Sequence, residues 1–449
     1  MKRFDATLVD RRPLPELSAE RERVKEQVTN WRRLQQDPDH RSKDRRTLIA
    51  RRAGRRDLAQ LEAVDNDGVD TFVATGELLI TRKDLEGLDE RRRGLLAELG
   101  LVASTAAGLR GGVVVLAEAD PRASRVRGRT GDVAARLREA GVPVRPHYVV
   151  PLGMIRKAEG GPEPSSWKQD KPDVPVSGPK VAVIDTGISV EERGDGWLRG
   201  LLRNDNVDLL DVIPTPSDGR LDLGAGHGTF VSGAIQQVAP GVDLRIYQAL
   251  DTDGLAAEAT VAAAIVTAVD DGAKILNLSF GTDTLDDEPP LSLRTAVETM
   301  IATDPEVLLV CAAGNTGDTR DVWPAAFHQE FPTNVVSVAA LAIDGSSGAA
   351  WSTHGDVTCS TIGEGVVSTY VKGTESHAAD PAGPDTFGEQ AWATWSGTSF
   401  AAPQVVGAIV KVLQDPAHSG KTPRQALDVV LQNGVLVPDY GQAVHILPA

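Results

Sequence analysis

Residues 180–187 read Lys180-Val181-Ala182-Val183-Ile184-Asp185-Thr186-Gly187. A short apolar run ends abruptly there in a carboxylate, a hydroxyl and a glycine. A run that is apolar at every position is how a strand reads when helices cover both faces of its sheet. Outward from it, similar runs recur at 243–249, 274–279, 307–312 and 335–341, with Ala-rich helical stretches at 258–270 and 292–303 between them. Strands alternating with helices predict an α/β domain, doubly wound around a mostly parallel sheet, over residues 180–449. Such sheets place their chemistry at the carboxyl ends of the strands.

Two further segments carry reactive side chains at element ends. Gly226-His227-Gly228-Thr229-Phe230-Val231-Ser232-Gly233 sets a histidine between glycines at the start of an apolar helix. Ser396-Gly397-Thr398-Ser399-Phe400-Ala401-Ala402-Pro403 sets a serine at the head of a helix running to about residue 414, with Pro403 expected in its first turn. Hydrolysis through a serine needs a hydroxyl, an imidazole to take its proton, and a carboxylate to fix the imidazole's tautomer. Asp185, His227 and Ser399 supply the three types. Alone, each reads more simply as a turn, structural or N-cap residue.

Together the three segments resemble the Asp, His and Ser segments of the subtilisin-like serine proteases (subtilases), in that family's chain order, over roughly residues 177–449. The resemblance implies a serine endopeptidase in which Ser399 is the nucleophile, His227 the general base and Asp185 its orienting carboxylate. It matches Asn315, in Cys311-Ala312-Ala313-Gly314-Asn315, to the family's oxyanion-hole amide. It also implies that Leu278, Ser279, Phe280 and Gly281 pair with a substrate backbone. With Ala312, Ala313 and Gly314, that segment would wall the pocket for the side chain before the scissile bond. The small residues there are read as leaving room for a sizeable side chain. Trp323-Pro324-Ala325 resembles the family's Tyr-Pro-Ala turn. An intact set of four argues for an enzyme over a binding protein that keeps only the shape.

The chain departs from the family at Thr361-Ile362-Gly363-Glu364-Gly365, where an Ala-Pro-Gly turn is usual, and in a polar insertion at 371–391. The insertion reads as a lid, a partner-binding loop or an inert surface loop. The resemblance allows structural calcium. Asp251-Thr252-Asp253-Gly254, however, reads as a strand-to-helix turn without further oxygen ligands close by, so no metal or other cofactor is expected.

Upstream, residues 71–81, 101–104, 112–118 and 142–150 read as strands, and 84–99 and 131–140 as amphipathic helices. The order β-α-β-β-α-β is that of a ferredoxin-like unit over 70–151, and many subtilases carry such a pro-domain. By that analogy the tail around 148–156 lies in the active cleft and the N-terminal half is an inhibitory, chaperone-like pro-region or a regulatory domain. Residues 152–179, dense in Gly, Pro, Ser and charge, read as an exposed linker.

Residues 16–64 favour helix, with a break at Asp37-Pro38-Asp39. Residues 1–65 carry 17 Lys and Arg against 12 Asp and Glu, a surplus of five positive charges, while the rest of the chain carries 30 against 51. The basic run Arg41, Lys43, Arg45, Arg46, Arg51, Arg52, Arg55 and Arg56 is open to three contacts: nucleic acid, an acidic partner, or the acidic remainder of this chain. Interrupting acids and the lack of interleaved aromatics favour a solvated helix instead, and no nucleic acid is expected. As an arm beyond a minimal pro-domain, 1–65 is a candidate site for a regulatory protein partner.

The 449 residues are 41% hydrophobic and 24% charged, which excludes a wholly disordered chain. No run reaches the roughly 18 apolar residues of a membrane span. The opening Met1-Lys2-Arg3-Phe4 has no apolar stretch behind it, and Cys311 and Cys359 read as reduced, buried thiols. A cytoplasmic protein acting on protein or peptide substrates is the expectation.

Overall fold

Two helices lead the described chain, α1 (Leu14–Gln35) and α2 (Pro38–Arg52). Between them the Asp37 side chain accepts hydrogen bonds from the backbone N–H groups of Asp39 and His40, and Pro38 sits where its missing N–H costs nothing. The computed structural model describes all residues except 1–11, 36, 56, 105–111, 121, 123, 153–160, 204–205, 381–382 and 448–449.

Next come β1 (Leu61–Asn66), β2 (Val69–Thr81), α3 (Arg82–Gly87), α4 (Glu90–Glu98), β3 (Leu101–Ala103), β4 (Val113–Glu118), α5 (Thr130–Glu139) and β5 (Arg145–Pro151). The sheet order is β3-β4-β2-β5, antiparallel throughout, with β1 forming a hairpin on β2. One face is closed by α5, whose Val133, Ala134 and Leu137 pack with Leu78, Ile80 and Leu116. Two features differ from the sequence reading. The helix expected over 84–99 is two helices, because Asp89 caps a new start behind extended Leu88. The helical zone ends at Arg52, and β1 begins where it was expected to continue.

The second half contains β6 (Glu163–Pro164), β7 (Ser177–Asp185), α6 (His227–Val238), β8 (Val242–Gln248), β9 (Leu255–Ala257), α7 (Glu258–Asp270), β10 (Ile275–Leu278), α8 (Leu291–Thr303), β11 (Leu308–Ala312), β12 (Val335–Leu341) and β13 (Cys359–Ile362). After these come β14 (Val366–Thr369), β15 (Gly373–Thr374), β16 (Thr386–Phe387), β17 (Trp392–Trp395), α9 (Thr398–Gln414), α10 (Pro423–Leu431), β18 (Val435–Val437) and β19 (Gly441–Ala443). The main sheet runs β18-β19-β13-β12-β11-β10-β7-β8 and is parallel from β19 to β8. One core forms with α7 and α8 on one face and a larger one with α6 and α9 on the other, as the continuously apolar strands require. From β7 the chain goes to β8 on one side and returns to β10 on the other. That reversal opens a crevice at the carboxyl ends of β7 and β10.

Part of the stretch read as linker is packed instead. Glu163 and Pro164 pair with Thr394 and Ala393, and Trp167 is buried against Trp392. The insertion at 371–391 is anchored too: the Arg193 guanidinium donates to the carbonyls of Tyr370, Gln390 and Ala391.

Candidate active site

Asp185 ends β7, His227 opens α6 and Ser399 is the second residue of α9. The helix carrying His227 comes close because of its glycines. Gly226 takes φ +80°, and a Cβ on Gly228 would stand 2.1 Å from the Gly187 carbonyl oxygen. Asp185 and His227 meet: Nδ1 of His227 donates to Asp185 Oδ1 at 2.8 Å, both side chains buried. A carboxylate only accepts, so Nδ1 carries the hydrogen and Nε2 of the neutral ring keeps its lone pair. Edge contact with Trp395 (5.4 Å between centroids) and a tilted contact with Phe400 (5.3 Å) fix the ring plane.

The Ser399 hydroxyl donates to the Ser279 carbonyl at 2.9 Å, and among the described residues no hydrogen bond joins it to His227. The sequence reading placed Pro403 in the first helical turn; α9 starts at Thr398, so Pro403 falls in the second. There its missing N–H would leave the Ser399 carbonyl, four residues back, without its helical donor. The Ser279 hydroxyl replaces that donor at 2.8 Å and in turn accepts from Asn277 Nδ2 at 2.8 Å. This exchange ties Ser399 to the cleft wall.

Asn315 is oriented by its neighbour. Its Oδ1 accepts from the Thr398 backbone N–H (3.0 Å) and from Thr398 Oγ1 (2.9 Å), so its NH₂ is directed away from that contact. Leu278 closes β10 beside Cys311 of β11, and the walls continue as Ser279–Gly281 and Ala312–Gly314.

Sequence reasoning missed Asp208. Its Oδ2 accepts from Thr186 Oγ1 (3.0 Å) and the Gly226 N–H (2.8 Å), joining the residue after Asp185 to the residue before His227. Burial pushes its carboxyl up to about 7. Nothing in the surrounding motif marks this residue.

A cavity of about 610 Å³ contains Ser399, Asn315 and Gly314, and it is roofed by the N-terminal half: Arg45 and Leu48 of α2, and Asp67 in the β1–β2 turn. The N-terminal half also enters the cleft from the side. Val149, Val150 and Pro151 pair antiparallel with Ala257, Ala256 and Leu255. The Leu152 N–H donates to the Gly254 carbonyl (3.0 Å), and the Gly281 N–H donates to the Pro151 carbonyl (3.2 Å). The rest of the predicted tail lies outside the described residues.

Lys43 and Arg46 of the basic run are exposed, as a solvated helix face would be, but Arg51 and Arg52 are not. Arg51 donates to Asp253 (3.0 and 2.8 Å), Asp222 (2.8 Å) and the Ile213 carbonyl (2.7 Å); Arg52 donates to Asp251 (2.6 Å). Of the three contacts left open, the acidic remainder of this chain is the one made. The carboxylates of the 251–254 turn are thereby held by guanidinium groups. Leu48 packs with Leu223, Leu255 and Ala379, so the insertion helps to seat the arm.

Comparison with known proteins places the chain in a family. The model of the subtilase family matches residues 176–440, more than half of the chain. The chain belongs to the subtilase family. It is 31% identical over 248 residues to subtilisin BL of Lederbergia lenta, covering 53% of this chain and 77% of that one. To an intracellular serine protease of Paenibacillus polymyxa it is 28% identical over 260 residues, covering 56% and 70%. The structure of fervidolysin from Fervidobacterium pennivorans, a keratinolytic enzyme related to subtilisin, superposes with a TM-score of 0.56 at 19% identity. That match covers 87% of this chain and 62% of that one, and it shows likeness of fold. The protein is a subtilisin-like serine endopeptidase. No described helix is long and apolar enough to cross a membrane.

Proposed function

We propose that this subtilase cleaves peptide bonds through an acyl-enzyme on Ser399. His227 Nε2 takes the Ser399 proton as Oγ attacks the carbonyl carbon, while Asp185 holds the Nδ1–H and stabilises the imidazolium. Attack requires the Ser399 hydroxyl to leave the Ser279 carbonyl, a side-chain rotation within reach of thermal motion. The Asn315 NH₂ and the Ser399 N–H hold the oxyanion; His227 then protonates the leaving amine, and water repeats the sequence to release the acid. The observation that carries this reading is the 2.8 Å Asp185–His227 contact at the same sheet crevice as Ser399 and Asn315. Fluorophosphonate labelling tests it: wild type takes one adduct and Ser399→Ala none, whereas labelling elsewhere with Ser399 unmodified would refute it.

The N-terminal half reads as an inhibitory pro-region. Its antiparallel β3-β4-β2-β5 order suits a ferredoxin-like unit, and a substrate backbone would take the positions its tail now fills between Gly254 and Gly281. The arm adds a roof over the same cavity. Its docking on the chain's own acidic residues favours an intramolecular block over capture of an outside regulator. Buried free thiols at Cys311 and Cys359 suit a reducing compartment, and on that basis the protein is read as cytoplasmic.

A further inference from the structure

We infer that Val322 restricts the side chain before the scissile bond to a small one. This deepens the reading of Ser399 as the nucleophile and rests on it.

The tail gives the direction of a chain bound in the cleft. Pro151 lies against Gly281, Tyr148 Oη accepts from the Leu285 N–H, and Arg145 pairs with Asp286. As the tail is followed backwards its neighbours advance in sequence, so it runs antiparallel to 281–286. A chain continuing forward from the Pro151 position therefore meets Ser279, whose carbonyl holds the Ser399 hydroxyl. On the reading proposed above, the side chain at the point of attack faces the slot between Ser279–Gly281 and Ala312–Gly314.

That slot was expected to be roomy because its walls are small. Val322 stands at its end and narrows it, lining with Gly281, Ala312 and Gly314 the cavity that also holds Ser399. A Cβ built on Gly281 stands 2.5 Å from Val322 Cγ1, and one built on Gly314 stands 2.9 Å from Cγ2 and 3.2 Å from Cγ1. Both methyls of one valine thus occupy what the two glycines leave, and Cγ1 meets both walls. Val322 is buried and held. The Thr282 N–H donates to the Trp323 carbonyl (3.0 Å) and the Trp323 N–H to the Thr282 carbonyl (2.8 Å), fastening the neighbours of Val322 and Gly281 together. A β-branched side chain has few rotamers by which to withdraw. In the sequence, Leu152 of the tail is followed by Gly153, a residue with no side chain to place.

The test uses the full chain, incubated until hydrolysis is steady, with two peptides that differ only in Ala or Phe before the cleaved bond. Wild type is expected to favour the Ala peptide by at least about 10²-fold in kcat/KM. Val322→Gly is expected to raise the Phe peptide by roughly 10- to 200-fold, since a methylene-sized difference in an apolar pocket discriminates on that scale. The quantity compared is the ratio of the two peptides' kcat/KM, which should shift toward the Phe peptide by that factor in the variant. Val322→Ala gives a smaller shift in the same direction and carries the test should the glycine variant not fold. Equal use of both peptides by wild type, or an unchanged ratio in both variants, overturns the inference while Ser399 still labels with fluorophosphonate. Absence of that labelling overturns the nucleophile reading, and this inference with it.

Discussion

Arg51→Ala should undock the N-terminal arm, and the structure sets the size of the effect. The Arg51 side chain is 9% exposed, and its partners Asp222 and Asp253 are 1% and 0% exposed. Burial, with Asp253 nearby, already pushes the Asp222 carboxyl up to about 6. Removing the guanidinium leaves two neighbouring carboxylates buried without a counter-charge, a change that costs about 3–5 kcal/mol at comparable sites. That converts to roughly 200- to 5,000-fold in the equilibrium between docked and undocked arm. Hydrogen exchange read by mass spectrometry measures it directly. Amides of α2 should lose protection by that factor, up to the limit set by complete opening, while those of β10 and β11 keep theirs. Adding Asp222→Asn and Asp253→Asn to Arg51→Ala removes the stranded charges and should restore most of the protection. Arg55→Ala is the control, because among the described residues the hydrogen bonds of Arg55 go to the Val212 carbonyl, Thr215 and the exposed Asp57, and none goes to a buried carboxylate. Its effect should stay below about 1 kcal/mol. Unchanged exchange in Arg51→Ala, or a triple variant no better protected than the single one, would refute the argument that this buried pair holds the arm.

Asn315→Ala should lower kcat by about 10²–10³ with KM little changed, as expected for a donor used mainly in the transition state; steady-state peptide hydrolysis checks it. Asp185→Asn should cost about 10⁴ in kcat by allowing the wrong His227 tautomer, without displacing the ring from Trp395 and Phe400 in the variant's structure. Stability should fall with rising pH for an identifiable reason. Burial, the largest cause in both, pushes Asp208 and Glu258 up to about 7. The folded protein therefore holds these protons more tightly than the unfolded chain, whose carboxyls titrate near 4. The stability so gained is fully present below about pH 4 and lost as pH rises through about 7, roughly 4 kcal/mol per group. Denaturant midpoints between pH 5 and 8 should show that fall, and Glu258→Gln and Asp208→Asn should each flatten it.

The main sheet could be read from sequence because β7, β10, β11 and β12 are apolar on both faces and have one plausible use. The site could be read because Asp185, His227 and Ser399 sit in segments whose glycines and alanines serve close approach. What escaped reading depends on distance in the chain. Arg51 meets Asp253 about two hundred residues away, so the arm's basic run looked like a solvated face. Val322 belongs to neither wall, so reading the small wall residues alone gave no sign of the valine that stands against Gly281 and Gly314. Asp208 sits in a loop without periodicity and acts only through the backbone and Thr186. Pro403 was placed a turn too early because the Ser279 hydroxyl that relieves it is on another strand. The strand β6 is two residues long, too short for periodicity to rise above its Gly- and Pro-rich surroundings.

The most direct test of the account is the intact mass of wild type beside Ser399→Ala, followed over hours with fluorophosphonate present in parallel samples. The account predicts that wild type labels once and separates into two fragments, cut beyond Leu152 and before Gly161, while Ser399→Ala stays whole and unlabelled. Identical cleavage of both proteins, or a wild type that neither labels nor separates even after Arg51→Ala has opened the arm, would contradict it.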